Sequence, residues 1–455
     1  MSVSMNVDAG GDQIRAHAER LLSEVKEENL AEFLHTLHHL HSPPPTSPQY
    51  APLGIKPLDD ILRISHPLSH TSNIYTPRQP VLEITSPSSA DGKTHLLYYI
   101  TAVAVLPDTY RNVALPGRNS AIVYLDTDFR FDAVRLREVA KGIVLERAAE
   151  QGVSLPVTGS HYEGGNGDGD GDDDIDQLLH TALSHVHIFR PQSSVSLLAT
   201  IQSIEHYLLR GTGTVEGEGE GMHKHASHSR PLHSILLDSA SAFYWQDRRE
   251  LEVLNIPGVR EERARWAQVQ NQNQDHNDTE TNTATFQSLL PHQIIHTLRS
   301  LQHTFSCPLV FTTWGLLRAK PRTSYSTSHV LPASTTCTPL YTSHRPSIRP
   351  HLPRPWASFP TCRVIVQRDV VHPFAPFLTL EEAKREARER QRVVKKGRVV
   401  GWVDGHGSGR ERDGERETMT ERLFGFSLTG GGGIRWIDED DMGWGYGGVD
   451  ALFIN

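Results

Sequence analysis

Apolar and polar positions along the chain alternate between two habits. Short apolar runs occur at Val81–Thr85, Ala121–Asp126, His185–Phe189, Ser234–Asp238, Leu309–Thr313, Arg363–Gln367 and Leu423–Leu428. Stretches with helical spacing fall between them at 93–106, 131–150, 195–209 and 286–305. Apolar strands separated by amphipathic helices predict an α/β fold with a mostly parallel central sheet. The last runs lack such helical spacers, so antiparallel C-terminal strands are expected to finish the sheet. Upstream, Leu21, Leu22, Val25, Leu30, Phe33, Leu34 and Leu37 form a helical stripe over 12–41, ended by Ser42-Pro43-Pro44-Pro45. A further helix is expected over 379–394, where Thr379 and Glu382 form a capping box and Glu381/Arg385 and Glu386/Arg390 are spaced as ion pairs. The resulting division is 1–50, an N-terminal helix and Pro-rich linker, and 51–455, one α/β domain. Polar, low-complexity inserts, expected to be disordered, interrupt it at about 159–176, 211–230, 269–284, 322–356 and 402–420.

Composition narrows the function classes. No apolar run approaches the roughly 18 residues that a membrane-spanning helix needs, and MSVSMNVDAGGD lacks the basic-then-apolar order of a signal peptide. The three cysteines, Cys307, Cys337 and Cys362, are odd in number and widely spaced. They form neither a disulfide framework nor a paired zinc motif, which points to a reducing compartment. With a net charge of −9 the chain is not a general polyanion binder. Contact with nucleic acid needs a local basic surface. The histidine groups His35/His38/His39 and His223/His225/His228 read as solvated side chains, and GNGDGDGDDDID lacks the Gly and Glu that a calcium loop places at its sixth and twelfth positions.

The sharpest chemical signal is Val81-Leu82-Glu83-Ile84-Thr85, then Ser86-Pro87-Ser88-Ser89-Ala90-Asp91-Gly92-Lys93-Thr94, then a helix. Strand, loop and helix stand in the order of a phosphate-binding loop, in which backbone N–H groups and the helix N-terminus cradle phosphates. Gly92, Lys93 and Thr94 take the nucleotide-binding positions: the lysine for the β/γ-phosphates and the threonine for Mg²⁺. Pro87 stands where the first glycine of such a loop belongs, and Asp91 adds a negative charge near the phosphates. Ser234-Ile235-Leu236-Leu237-Asp238 is an apolar run ending in an acid, and Asp238 is a candidate to orient the Mg²⁺ shell. Asp128, just past the Ala121–Asp126 strand, is a candidate to activate a water for attack on the γ-phosphate, while Asp126 or Thr127 serves equally as a helix cap.

Taken together these residues resemble the RecA-like recombinases, and within them the eukaryotic recombinase paralogues. The resemblance runs through Leu53-Gly54-Ile55-Lys56-Pro57-Leu58, Asp91-Gly92-Lys93-Thr94 and Leu125-Asp126-Thr127-Asp128-Phe129-Arg130. It is strongest in Leu236-Leu237-Asp238-Ser239-Ala240-Ser241-Ala242-Phe243-Tyr244-Trp245. It implies a RecA-like P-loop ATPase core that takes ATP and Mg²⁺. It also implies work in homologous recombination repair in the nucleus, within a complex of other recombinase paralogues that assists the recombinase filament on DNA. Trp314 follows the strand whose end carries a γ-phosphate-sensing glutamine in active recombinases, and Asp128 stands where they carry glutamate. An interaction scaffold of the same fold that has lost nucleotide binding is the second reading. A small-molecule kinase is the third, and it needs a lid of convergent arginines near Lys93.

Charge supplies the last expectation. From Thr281 to Arg368 there is no Asp or Glu, although the whole protein is acidic. Arg318, Lys320, Arg322, Arg345, Arg349 and Arg354 follow the Leu309–Thr313 strand, interleaved with Tyr325, Tyr341 and Trp356. Guanidinium groups paired with phosphates and aromatic rings stacked on unpaired bases make this a candidate DNA-binding segment.

Overall fold

A computed structural model of the chain describes residues 15, 17, 51–65, 79–155, 172–209, 226–254, 256–259, 261, 282–317, 348–369, 374, 378–404, 423–429 and 432–437. The helix expected over 12–41 lies outside these apart from Arg15 and His17, as does most of each expected insert. The chain order is α1 (Lys56–Ser65), β1 (Val81–Ser86), α2 (Lys93–Val105), a small hairpin of β2 (Thr109–Tyr110) and β3 (Val113–Ala114), β4 (Ala121–Asp126) and α3 (Ala133–Glu150). It continues through α4 (Asp172–Leu183), β5 (Val186–Phe189), α5 (Ser194–Leu209), β6 (Leu232–Asp238), α6 (Tyr244–Leu254), α7 (Asn282–Phe305) and β7 (Leu309–Leu317). The remainder is β8 (Ile348–Pro350), α8 (Arg354–Ala357), β9 (Cys362–Arg368), α9 (Leu380–Lys396), β10 (Arg398–Val403), β11 (Leu423–Leu428) and β12 (Ile434–Ile437).

One sheet runs β12-β11-β10-β9-β1-β7-β6-β4-β5, with β8 added to the end of β7. The six strands β9, β1, β7, β6, β4 and β5 are mutually parallel. The additions β10, β11 and β12 are antiparallel as expected, β10 even though α9 lies between it and β9. Parallel strands buried on both faces read as continuous apolar runs, and β1 and β4 are buried at every position. Alternate residues serve two cores. Leu82, Ile84, Ile122, Tyr124, Leu236 and Val310 pack against α1, α2, α3 and α4. Val81, Val123, Leu125, Ile235, Leu237, Leu309 and Phe311 pack against α5, α7 and α8.

Three expectations need correction. The helix after the phosphate-loop motif is not amphipathic: of Lys93–Val105 only Thr94 is not buried, as suits a helix in the middle of its layer. The expected insert 159–176 overlaps α4, because Ile175 and Leu179 bury against α3 and α2. The expected insert 322–356 ends in folded chain. Ile348 begins β8, which pairs with β7, and Trp356 is 4% exposed, set against Phe311 and Phe359. A ring held there does not stack on a base. The expected helix over 379–394 is present, with the Thr379–Glu382 capping box formed and Arg390 paired to Glu386 at 3.1 Å.

The α5/α7/α8 face also carries charge. Glu83, in the middle of β1 and 0% exposed, receives Arg363 Nε of β9 at 2.7 Å and Thr313 Oγ1 of β7 at 2.8 Å. Burial pushes the Glu83 carboxyl up, and the guanidinium opposes that shift. Removing one partner of such a pair leaves an uncompensated buried charge. Arg363→Met is therefore expected to lower unfolding free energy by about 3–5 kcal/mol. Adding Glu83→Leu is expected to restore part of it, since Asp404, 3.4 Å from Arg363 Nη1, still loses that guanidinium, as read by urea denaturation of both variants.

Candidate functional site

All six parallel strands deliver their C-terminal ends to one edge, and four of those ends make the site. The Ser86–Gly92 loop leaves β1 and turns into α2 through Gly92, whose φ of +87° is left-handed. A Cβ there would meet Phe426 and Val399 only at ordinary contact distance, so it is the backbone conformation and not crowding that asks for glycine. The Lys93 side chain is buried and turned back over the loop. Its Nζ donates to Ser86 Oγ and, at 3.2 Å, to the Ser88 carbonyl. Burial lowers its pKa, while Asp91, Asp238 and Asp128, in that order, support its charge.

Asp238 ends β6 and gathers three hydroxyl donors. Thr94 Oγ1 of α2 reaches its Oδ2 at 2.9 Å, Tyr124 OH of β4 reaches the same oxygen at 3.0 Å, and Thr312 Oγ1 of β7 reaches Oδ1 at 2.5 Å. The following Ser239 is buried and its Oγ lacks a hydrogen-bond partner. Thr94 and Asp238, which are 144 residues apart in the chain, thus present oxygens side by side at the mouth of the loop. An oxygen-rich pair beside an unpartnered hydroxyl suits a hydrated Mg²⁺, which favours one or two protein ligands and retained waters.

The turn after β4 is organised differently from expectation. Asp126 accepts from the Arg130 and Phe131 backbone N–H groups and from Arg190 Nε at 3.1 Å, so it braces the turn. The cap of α3 is Asp132, which accepts from Val134 and Arg135 N–H, and not Asp126 or Thr127. Thr127 instead donates to the Ser239 carbonyl at 2.7 Å. Asp128 lies beside Asp238, with its backbone N–H on the Asp238 carbonyl at 3.3 Å. Burial raises its pKa, the Asp238 carboxylate adds to that and the Arg130 guanidinium opposes it. The Trp314 backbone N–H is fixed on Ser241 Oγ at 3.1 Å, and its side chain is 43% exposed.

Gly92, Lys93, Thr94, Asp128 and Asp238 therefore share one edge. Of the basic residues assigned to DNA, Arg349 and Arg354 are exposed, on β8 and α8, while Arg318, Lys320, Arg322 and Arg345 lie outside the described residues. Arg363 of the same acid-free stretch is committed to Glu83 and Asp404. The sequence reading missed Tyr124 and Thr312. Each is a hydroxyl residue inside or at the end of an apolar strand, which is the signal that a buried acceptor waits nearby.

No family model matches the chain. Over 158 residues it is 27% identical to the DNA repair protein XRCC2 of Mus musculus, covering 34% of this chain and 38% of that protein. Over 171 residues it is 23% identical to the DNA repair protein XRCC2 homolog of Arabidopsis thaliana, covering 37% of this chain and 42% of that one. The chain thus matches about two fifths of the length of these curated relatives.

Tyr124 is buried and its hydroxyl has one acceptor, Asp238. A hydrogen bond to a charged group contributes about 1.5–3 kcal/mol. Tyr124→Phe is expected to cost stability in that range by chemical denaturation, with an unchanged far-ultraviolet circular dichroism spectrum.

Proposed function

We propose that this chain is a DNA-repair subunit of the recombinase-paralogue kind. It has a RecA-like P-loop core that binds ATP and Mg²⁺, and it works in homologous recombination of broken DNA in the nucleus beside other paralogues and a recombinase filament. The observation that carries the nucleotide reading is the meeting of Thr94 and Asp238. A loop that ends β1 and an acid that ends β6 converge within 2.9 Å, beside a buried lysine. The repair reading rests on the similarity to the mouse and Arabidopsis proteins. Lys93 would hold the β/γ-phosphates and Thr94 and Asp238 the metal, which supplies charge neutralisation at the phosphates when bound. Among the described residues no helix is long and apolar enough to cross a membrane.

Hydrolysis needs a positioned water and a group that reports the γ-phosphate. Asp128 is one methylene shorter than the glutamate that active recombinases carry there, and Trp314 stands in place of their sensing glutamine, so neither suits that work. This favours a subunit that holds nucleotide as a structural ligand, with the pseudo-ATPase scaffold as the neighbouring reading.

Saturating MgATP at about 100 times its Kd stabilises a binding protein by about 2.7 kcal/mol. The expected result is a raised Tm for the full chain that Lys93→Ala abolishes, with ATP turnover no faster than in that variant. Equal melting of both proteins with and without MgATP would remove the nucleotide-binding reading.

For DNA, we infer contact through Arg318, Lys320, Arg322, Arg345, Arg349 and Arg354. If about five of these meet phosphates, single-strand affinity falls with salt at a log–log slope of about −3.5. Replacing Arg318, Lys320 and Arg322 with Ala is expected to flatten that slope by about two. A slope unmoved by the triple substitution places the contacts elsewhere.

A further inference from the structure

The loop that the nucleotide reading requires already holds an anion of its own. Asp91, the residue immediately before Gly92-Lys93-Thr94, is 4% exposed, and both its carboxylate oxygens are engaged. Oδ2 accepts from the Ser88 backbone N–H at 3.0 Å, and Oδ1 accepts from the Arg368 backbone N–H of β9 at 3.1 Å. The other loop groups are also turned inward. The Ala90 N–H points to Ser88 Oγ at 3.4 Å, Ser86 Oγ donates to the Ser88 carbonyl at 2.5 Å, and Lys93 Nζ sits on those same two Ser86 and Ser88 oxygens. Pro87 has no N–H to offer. Of the carboxylates around Lys93, Asp91 acts on it most strongly. A phosphate-binding loop works because its N–H groups and its lysine lack anionic partners inside the protein and are left for the ligand. In this loop the Ser88 N–H is spent on the Asp91 carboxylate, and the lysine's own hydrogen bonds are spent on Ser86 and Ser88.

We propose that Asp91 is an intramolecular plug of the phosphate loop, its carboxylate standing in for a phosphate, so that nucleotide enters only by displacing it. The proposal rests on the nucleotide reading above and adds to it how the site is regulated. Two consequences follow from the partners. The exchange sets one anion against another, so affinity is held below what the loop would reach with a neutral residue at this position. The exchange also breaks the Asp91–Arg368 link, so occupancy of the loop is felt at β9, the strand on which the antiparallel half of the sheet is built.

The test is isothermal titration of the full chain with MgATP, using the wild type, Asp91→Asn and Asp91→Ser, each also combined with Lys93→Ala. Asp91→Asn keeps an acceptor for the Arg368 N–H and guards against loss of fold, which the Tm of each nucleotide-free protein checks. The expected result is an approximately tenfold lower Kd in both single variants, abolished by Lys93→Ala. Hydrogen exchange gives a readout without ligand: amides in a peptide spanning 86–92 are expected to exchange faster in nucleotide-free Asp91→Ser than in the wild type. Wild-type binding that neither variant tightens overturns the plug and leaves the nucleotide site standing. Folded variants and wild type that all fail to bind MgATP overturn both.

Discussion

A single carboxylate, that of Asp238, holds the working edge of this molecule together. A buried ionised group must be surrounded by donors or it forces the chain apart. Here the donors come from three separate elements: the first turn of α2, the interior of β4 and the interior of β7. Satisfying one acid therefore fixes the order of the strands around β6 and the angle at which α2 leaves the Ser86–Gly92 loop. Side chains that would otherwise be ordinary hydroxyls become conditions for the fold, and the same oxygen atoms that knit the edge are those a divalent cation would share. A substitution that loosens this edge therefore also changes the oxygens that a ligand placed there would meet.

The Glu83–Arg363–Thr313 group has a different role. It faces the opposite core, lies inside the sheet instead of at its edge, and joins β1 to both of its neighbours. Hydrophobic packing alone is indifferent to sliding a strand along its neighbour by two residues. A buried ion pair is not indifferent, because a shifted register strands both charges. The pairing of Glu83 with Arg363 in adjacent register makes β9 the specified partner of β1, even though 280 residues of chain separate the two.

Much of this was open to reading from the sequence, and the reasons differ by element. β1, β4, β6 and β7 announced themselves because strands buried on both faces are uninterrupted apolar runs, and the loop after β1 carried its own glycine and lysine. The gathering of Tyr124 and Thr312 on Asp238 was not legible, since it depends on strand order, which no local pattern encodes. Glu83 left a readable trace, an acid in the middle of an apolar strand, but its partner stands 280 residues away. β10 was missed because Arg398-Val399-Val400-Gly401-Trp402-Val403 follows directly on a charged helix and precedes a polar tract. The turn before α3 offered three acids within seven residues, Asp126, Asp128 and Asp132. Only the path of the backbone decided which one caps the helix.

The common direction of the six parallel strands has a consequence for how this chain can change length over evolutionary time. The junctions from α3 to α4 and from α5 to β6 open on the edge where strands begin, the far side of the sheet from Lys93, Thr94 and Asp238. Residues added at those junctions lengthen the protein without moving any group of the site, so selection on the chemistry is blind to them. The junctions from β1 to α2 and from β4 to α3 open on the opposite edge, and both are short and fully described. A lineage carrying this fold is thus free to accumulate length on the rim away from the site, while on the site's own rim the two short turns stay constrained and the segment between β7 and β8 is where length enters.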